Sequence, residues 1–162
     1  MADLSPTTGE EYYSGDWQDI KDVLRVLNMD DGKLARVTQP MVNRFQETVD
    51  RQIDGVLEDV VHVPLRAVNI VRPSDGTTVR SFPGAVRRAA RYWTAGLLLL
   101  TEFQNLEQNM TDQAQEYVTD ARREVFQMKR FTHRIRGQEF KSHFSRTIPP
   151  NFQPPSIPEA DF

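Results

Sequence analysis

An all-α fold is what this sequence predicts: a four-helix bundle with an extended loop or short hairpin between helices 2 and 3 and an extended Pro-rich C-terminal tail. Three observations predict it. Apolar residues recur every three or four positions in four separate stretches. A Val-rich, Pro-punctuated segment from Asp59 to Ser81 separates the second stretch from the third. Five prolines, Pro149, Pro150, Pro154, Pro155 and Pro158, forbid a regular helix or central strand near the end of the chain. At 162 residues, one domain with a modest core and appendages is expected.

The boundaries that follow are a flexible acidic arm over residues 1–13, a helical domain over 14–131 and an extended tail over 132–162. The arm has no helical or strand period. In the first helix, Asp16 to Asn28, Trp17, Ile20, Val23, Leu24 and Leu27 share one face, Ser14 or Asp16 is available as the cap, and Asp19 lies near the positive end. Asn28-Met29-Asp30-Asp31-Gly32 then reads as a turn. The second helix starts at Thr38, where Pro40 falls in the first turn and forfeits no hydrogen bond, and runs to about Glu58 with a stripe of Met41, Val42, Phe45, Val49, Ile53, Val56 and Leu57.

Between Asp59 and Ser81, Pro73-Ser74-Asp75-Gly76 supplies a turn ahead of Thr77-Thr78-Val79. Ser81-Phe82-Pro83 opens the third helix, which reaches about Asn105. Val86, Ala89, Ala90, Trp93, Leu97 and Leu100 line one face of it, and Leu98 and Leu99 widen that face, so this helix is expected at the centre of the bundle. Thr111-Asp112 caps the fourth, with Ala114, Tyr117, Val118, Ala121, Val125 and Met128 along its buried side. Beyond Phe131 the stripe fades, and aromatic and aliphatic groups interleave with the tail prolines, a composition suited to an extended strand laid on another surface.

Composition narrows the function classes. Cysteine is absent, which removes disulfides, thiolate nucleophiles and Cys-based zinc sites. The apolar fraction of 38% and mean hydropathy of -0.57 fit a soluble chain with a substantial non-core portion, and a cytoplasmic origin is expected. The greasiest run, Trp93 to Phe103, is well short of the roughly 20 residues a membrane span requires. The N-terminal stretch lacks the basic and apolar regions of a secretory signal.

No HExxH, GxSxG, GxxxxGK[ST], GxGxxG or EF-hand pattern occurs, and His62, His133 and His143 lack the partners of a metal site. Neither an enzyme nor a cofactor is expected. Asp50 and Asp54, four apart on the second helix, and Asp19 and Asp22, three apart on the first, have the spacing of paired acid-base carboxylates, but a solvated helix face accounts for them better.

Charge is polarised along the chain. Eight Asp and Glu face Lys21 and Arg25 from Met1 to Asp31, whereas eight Lys and Arg face Glu124 and Glu139 from Arg122 to Arg146. A solvated surface, head-to-tail association of copies, and nucleic acid at the basic end each fit that asymmetry. An overall pI near 5.6 and the lack of a helix-turn-helix, zinc-finger or RNA-binding signature argue against a dedicated DNA-binding module.

The order of elements resembles one known family. A helix ending Val49-Asp50-Arg51-Gln52-Ile53-Asp54-Gly55-Val56-Leu57, a Val63-Pro64-Leu65 loop, Phe82-Pro83 opening Val86-Arg87-Arg88-Ala89-Ala90-Arg91-Tyr92, and a last helix with Tyr117-Val118-Thr119-Asp120-Ala121-Arg122-Arg123 resemble the head-to-tail adaptor (connector) proteins of tailed bacteriophages over about Trp17 to Arg130. The resemblance implies a non-enzymatic virion subunit, made in the bacterial cytoplasm and assembled as a dodecameric ring in the neck. Its partners would be further copies of itself, the portal protein and tail or tail-completion proteins, with DNA passing through the lumen. Ile53, Leu57, Ala89, Ala90, Trp93, Tyr117 and Ala121 fall at its core positions.

On that resemblance Val63, Leu65, Val68, Ile70 and Val79 are candidates for a loop between subunits. Phe140, Phe144, Ile148, Phe152, Ile157 and Phe162 are candidates for docking on the portal or a neck partner. Arg122, Arg123, Lys129, Arg130, Arg134 and Arg136 are candidates for contact with DNA or the lumen. The alternative function is a DNA-packaging accessory or nucleic-acid-binding protein that uses the basic 122–146 stretch.

Overall fold

The structure is a computed structural model and describes residues 12–27, 29–103 and 108–141. The described chain is mostly helical but not purely so. Its elements are α1 (Trp17–Val26), α2 (Asp31–Ala35), α3 (Gln39–Leu57), β1 (Val68–Val71), β2 (Thr78–Ser81), α4 (Gly84–Glu102), α5 (Gln108–Met128) and a closing 3-10 turn (Thr132–Ile135). Five α-helices therefore stand among the described residues where four were expected. The additional one, α2, occupies part of the stretch expected as a turn, because the Asp30 side chain accepts the Lys33 N–H at 2.7 Å and starts a helix among turn-forming residues.

Helix ends follow local chemistry. The Asp19 carboxylate accepts the Asp16 N–H at 3.0 Å at the start of α1. Ser14 is no cap: its hydroxyl accepts from Gln46 on α3 at 2.8 Å. Pro40 sits in the first turn of α3, where its missing N–H costs nothing, and Pro83 sits immediately ahead of α4. Thr111 and Asp112 lie inside α5 rather than before it, and Asp112 accepts from the Gln108 side chain one turn earlier at 2.8 Å.

Helix α4 is the centre, touching α1, α3, α5 and the 3-10 turn. Its two halves enter two clusters. Val86, Ala89, Ala90 and Trp93 pack with Val49, Ile53 and Leu57 of α3 and Ala121, Val125 and Met128 of α5. Ala95, Leu98 and Leu99 pack with Ile20, Leu24, Leu34, Val42 and Ala114. Each fully buried aliphatic contributes about 1.5–3 kcal/mol relative to exposure. The closest approach is at Gly96, where an added Cβ would lie 2.7 Å from the Ala114 carbonyl oxygen and 2.8 Å from Val118 Cγ2. The absent side chain is what lets α4 and α5 come together.

The packed body runs past both ends of the 14–131 range. Tyr13, assigned from sequence to the arm, is 3% exposed, and Ile135, assigned to the tail, is fully buried. The β1 and β2 strands pair antiparallel with Val68 opposite Ser81 and Ile70 opposite Val79. Among the described residues, no helix is long and apolar enough to cross a membrane.

Candidate functional site

The hairpin is the feature of the fold that the rest of the chain does not explain. Among the described helices and strands, β1 and β2 contact only each other. Alternation in a strand places Val68, Ile70 and Val79 on one face, where they are half-buried, and Val71 on the other, where it is 62% exposed. Among the described residues, the ribbon is fixed at its base. The Gln138 side chain accepts from the Arg66 N–H at 2.6 Å and donates to the Arg66 carbonyl at 2.7 Å, and Gly137, at φ 83°, brings its backbone against Val68. A two-stranded hairpin is marginal alone in water, so a ribbon with an apolar face and no helix beneath it is suited to contact with another molecule.

The five loop candidates divide. Val68, Ile70 and Val79 lie together on the hairpin. Leu65, a candidate for the loop between subunits, is 5% exposed and packs in the core, which leaves it little surface to offer a neighbouring copy; its N–H donates to the Tyr13 hydroxyl at 2.8 Å, which draws the segment inward. Val63 is half-buried against the same core cluster.

Phe140 is likewise not a free docking group. It forms a bridge with Val61, flanked by His62 N–H to Glu139 O at 2.9 Å and Lys141 N–H to Val60 O at 3.0 Å, and it packs on the core. The other docking candidates, Phe144, Ile148, Phe152, Ile157 and Phe162, lie outside the described residues.

The basic candidates also divide. Arg122 lies over the Trp93 ring at 5.5 Å, and Arg123 pairs with Asp120 at 3.2 Å. Lys129 pairs with Asp59 at 3.1 Å while standing over Phe126, 5.8 Å from the ring centre. Arg134 stands over Phe131 at 5.4 Å, with His133 edge-on to the same ring, and Arg130 and Arg136 are exposed. Phe126, unflagged by the sequence because it follows the buried Val125 on an ordinary helix, is 56% exposed.

The paired carboxylates prove more enclosed than a solvated face. Asp50 accepts the Tyr13 N–H at 3.1 Å, and Asp54 accepts the Tyr13 hydroxyl at 2.5 Å. Burial pushes the Asp50 carboxyl up to about 7, with the charges of Asp54 and Glu47 adding to the rise and the Tyr13 N–H opposing it. Asp54 is also raised, by burial first and Glu58 second, against the opposing Tyr13 hydrogen bond. Burial and Asp54 push the Tyr13 phenol upward as well. The carboxylates therefore anchor the N-terminal segment to α3. Gln46 reinforces this by donating to Ser14 Oγ and Gly15 O, each at 2.8 Å.

Among the described residues, grooves lie along α4. One, of about 220 Å³ toward α5, is lined by Arg88, Ala89, Tyr92, Tyr117, Asp120, Ala121 and Glu124. Another, of about 380 Å³, is lined by Val23, Gly84, Arg87, Arg88, Arg91 and Tyr92. The arginines are held at their flanks: Arg88 pairs with Glu124 at 2.9 Å, and Arg91 pairs with Asp19 at 3.1 Å and donates to the Ser14 carbonyl at 2.8 Å. Among the described residues, no group of three or more His, Asp or Glu is placed to hold a metal ion. No family model, no curated protein and no solved structure matches the chain.

Proposed function

We propose that the protein is a structural subunit that assembles with copies of itself, and specifically a head-to-tail adaptor in the neck of a tailed-phage virion. The carrying observation is the hairpin that, among the described residues, touches no other helix or strand. Burying the part of Val68, Ile70 and Val79 that is still exposed against a neighbour would add a fraction of the roughly 1.5–3 kcal/mol that complete burial of each side chain gives, before the cost of association. In a closed ring that gain recurs at every interface. The element order adds the adaptor identity by its resemblance to that family.

In this function the four longer helices form a bundle about α4 as the rigid wall of a dodecameric ring. The portal protein lies on one side and tail or tail-completion proteins on the other, and DNA passes through the lumen. The Pro-rich tail docks on a neck partner through the aromatic and aliphatic groups between Phe144 and Phe162. The virion neck is the site of action, after synthesis in the bacterial cytoplasm.

Light scattering and negative-stain microscopy of the purified full chain test this directly. Ring particles are expected, and replacing Val68, Ile70 and Val79 together by Ser should return them to monomers with an unchanged helical signal. A chain that stays monomeric at high concentration and is missing from the necks of particles would sink the proposal. Deleting residues 147–162 is expected to leave the domain folded and to prevent stable incorporation beneath the portal.

A further inference from the structure

We infer that the surface at the end of α5 that carries Phe126, Lys129, Arg130, Phe131 and Arg134 is a binding surface for single-stranded nucleic acid. The inference is independent of the adaptor proposal and rests on other observations. The large hydrophobic side chains left open to solvent among the described residues are Val26, Val71, Phe126 and Phe131, at 72%, 62%, 56% and 46% exposure. Both aromatic members of that set fall within six consecutive residues of the chain. Each has a cation over its ring, Lys129 at 5.8 Å from the Phe126 centre and Arg134 at 5.4 Å from the Phe131 centre.

Between Glu124 and Glu139 the charge along the chain has one sign. From Val125 to Gln138 the chain carries Lys129, Arg130, Arg134 and Arg136 and no Asp or Glu. A carboxylate reaches this surface from elsewhere, Asp59 on Lys129 at 3.1 Å, which leaves the cationic excess in place. An open aromatic ring beside fixed cations has the chemistry that a polynucleotide strand requires: the ring stacks on an unpaired base while the guanidinium and ammonium groups meet the adjoining phosphates. A duplex fits less well, because its base faces are already stacked on one another and the two phenylalanines would have nothing to receive. An acidic protein segment would use the cations and leave the rings idle.

Fluorescence anisotropy of a labelled oligothymidine titrated with the full-length protein tests the inference. Binding is expected at low salt, with affinity falling steeply between about 50 and 200 mM in proportion to the phosphates neutralised. Phe126→Ala and Phe131→Ala should each weaken it by roughly five- to a hundredfold. Phe126→Tyr and Phe131→Tyr should retain it, and unchanged thermal melts should show that these exposed positions leave the fold intact. Three results would overturn the inference: no binding at low salt, a duplex bound as tightly as the single strand with the alanine variants indifferent, or an oligoglutamate of matched charge competing as well as the oligonucleotide. The last outcome would make it a docking surface for an acidic protein.

Discussion

The hydroxyl of Tyr13 donates to the Asp54 carboxylate at 2.5 Å and so joins a residue ahead of the first helix to the last turn of α3. The same oxygen accepts the Leu65 N–H at 2.8 Å, and the ring meets Phe82 edge-to-face at 4.9 Å. One side chain thereby ties together the N-terminal segment, α3, the loop ahead of the hairpin and the entrance to α4. Tyr13→Phe removes both hydrogen bonds and leaves a buried N–H without its partner. The expected loss is about 1–3 kcal/mol of unfolding free energy, read from urea denaturation.

Acidity bears on the same anchor. Folding raises Asp50 from 3.8 to about 7, so the native state holds a proton that the unfolded chain has released. The associated stability is fully present below pH 3.8 and is lost as pH rises through 7, and Asp54 shifts in the same direction. Melting temperature should therefore fall between about pH 4 and 8 through these groups. Asp50→Asn should flatten that slope; an identical slope in the variant would show that Asp50 is not its source.

Gly96→Ala should destabilise the domain even though alanine is the better helix former by about 1 kcal/mol. The new methyl meets a backbone carbonyl, which has no rotamer with which to retreat, so α4 and α5 must part. A net loss of about 1–2 kcal/mol is expected. Gly55, on the open side of α3 with nothing within 4 Å of an added Cβ, serves as the control, and Gly55→Ala should be neutral or mildly stabilising.

Trp93→Asp places a charge where the native ring is 2% exposed, between α3 and α5 and beneath Arg122. A loss of several kcal/mol is expected, enough to lower the melting temperature sharply or prevent folding. An unchanged melt would mean that this part of the α4 interface is open to water.

The stripes of α1, α3, α4 and α5 were legible because each longer helix meets the core along one face, and that repeats in the sequence at helical period. Val42, Val49, Ile53 and Leu57 were placed by this alone. What escaped was held by partners distant in sequence. Val60 and Val61 belong to a β-rich stretch, yet both are core residues, and Val61 is bridged to Phe140, a pairing that no local period encodes. Tyr13 lies in a polar stretch, and its partners come from α3 and the loop beyond it. The hairpin was visible as Pro-Ser-Asp-Gly between Val-rich runs, but its isolation from the helices was not, since patterning reports which face is apolar and not what covers it. Phe126 and Phe131 differ from buried aromatics only in the direction they face, which the fold decides.

The anchoring of Ser14 and Gly15 has a consequence for the order in which the molecule is made. Their partners are Gln46 and Arg91, 31 to 77 positions further along the chain. Ser14 and Gly15 therefore cannot complete this set of contacts until Arg91 has been synthesised. During synthesis these two residues wait for helices that are made after them, and distant parts of the chain decide where they come to rest.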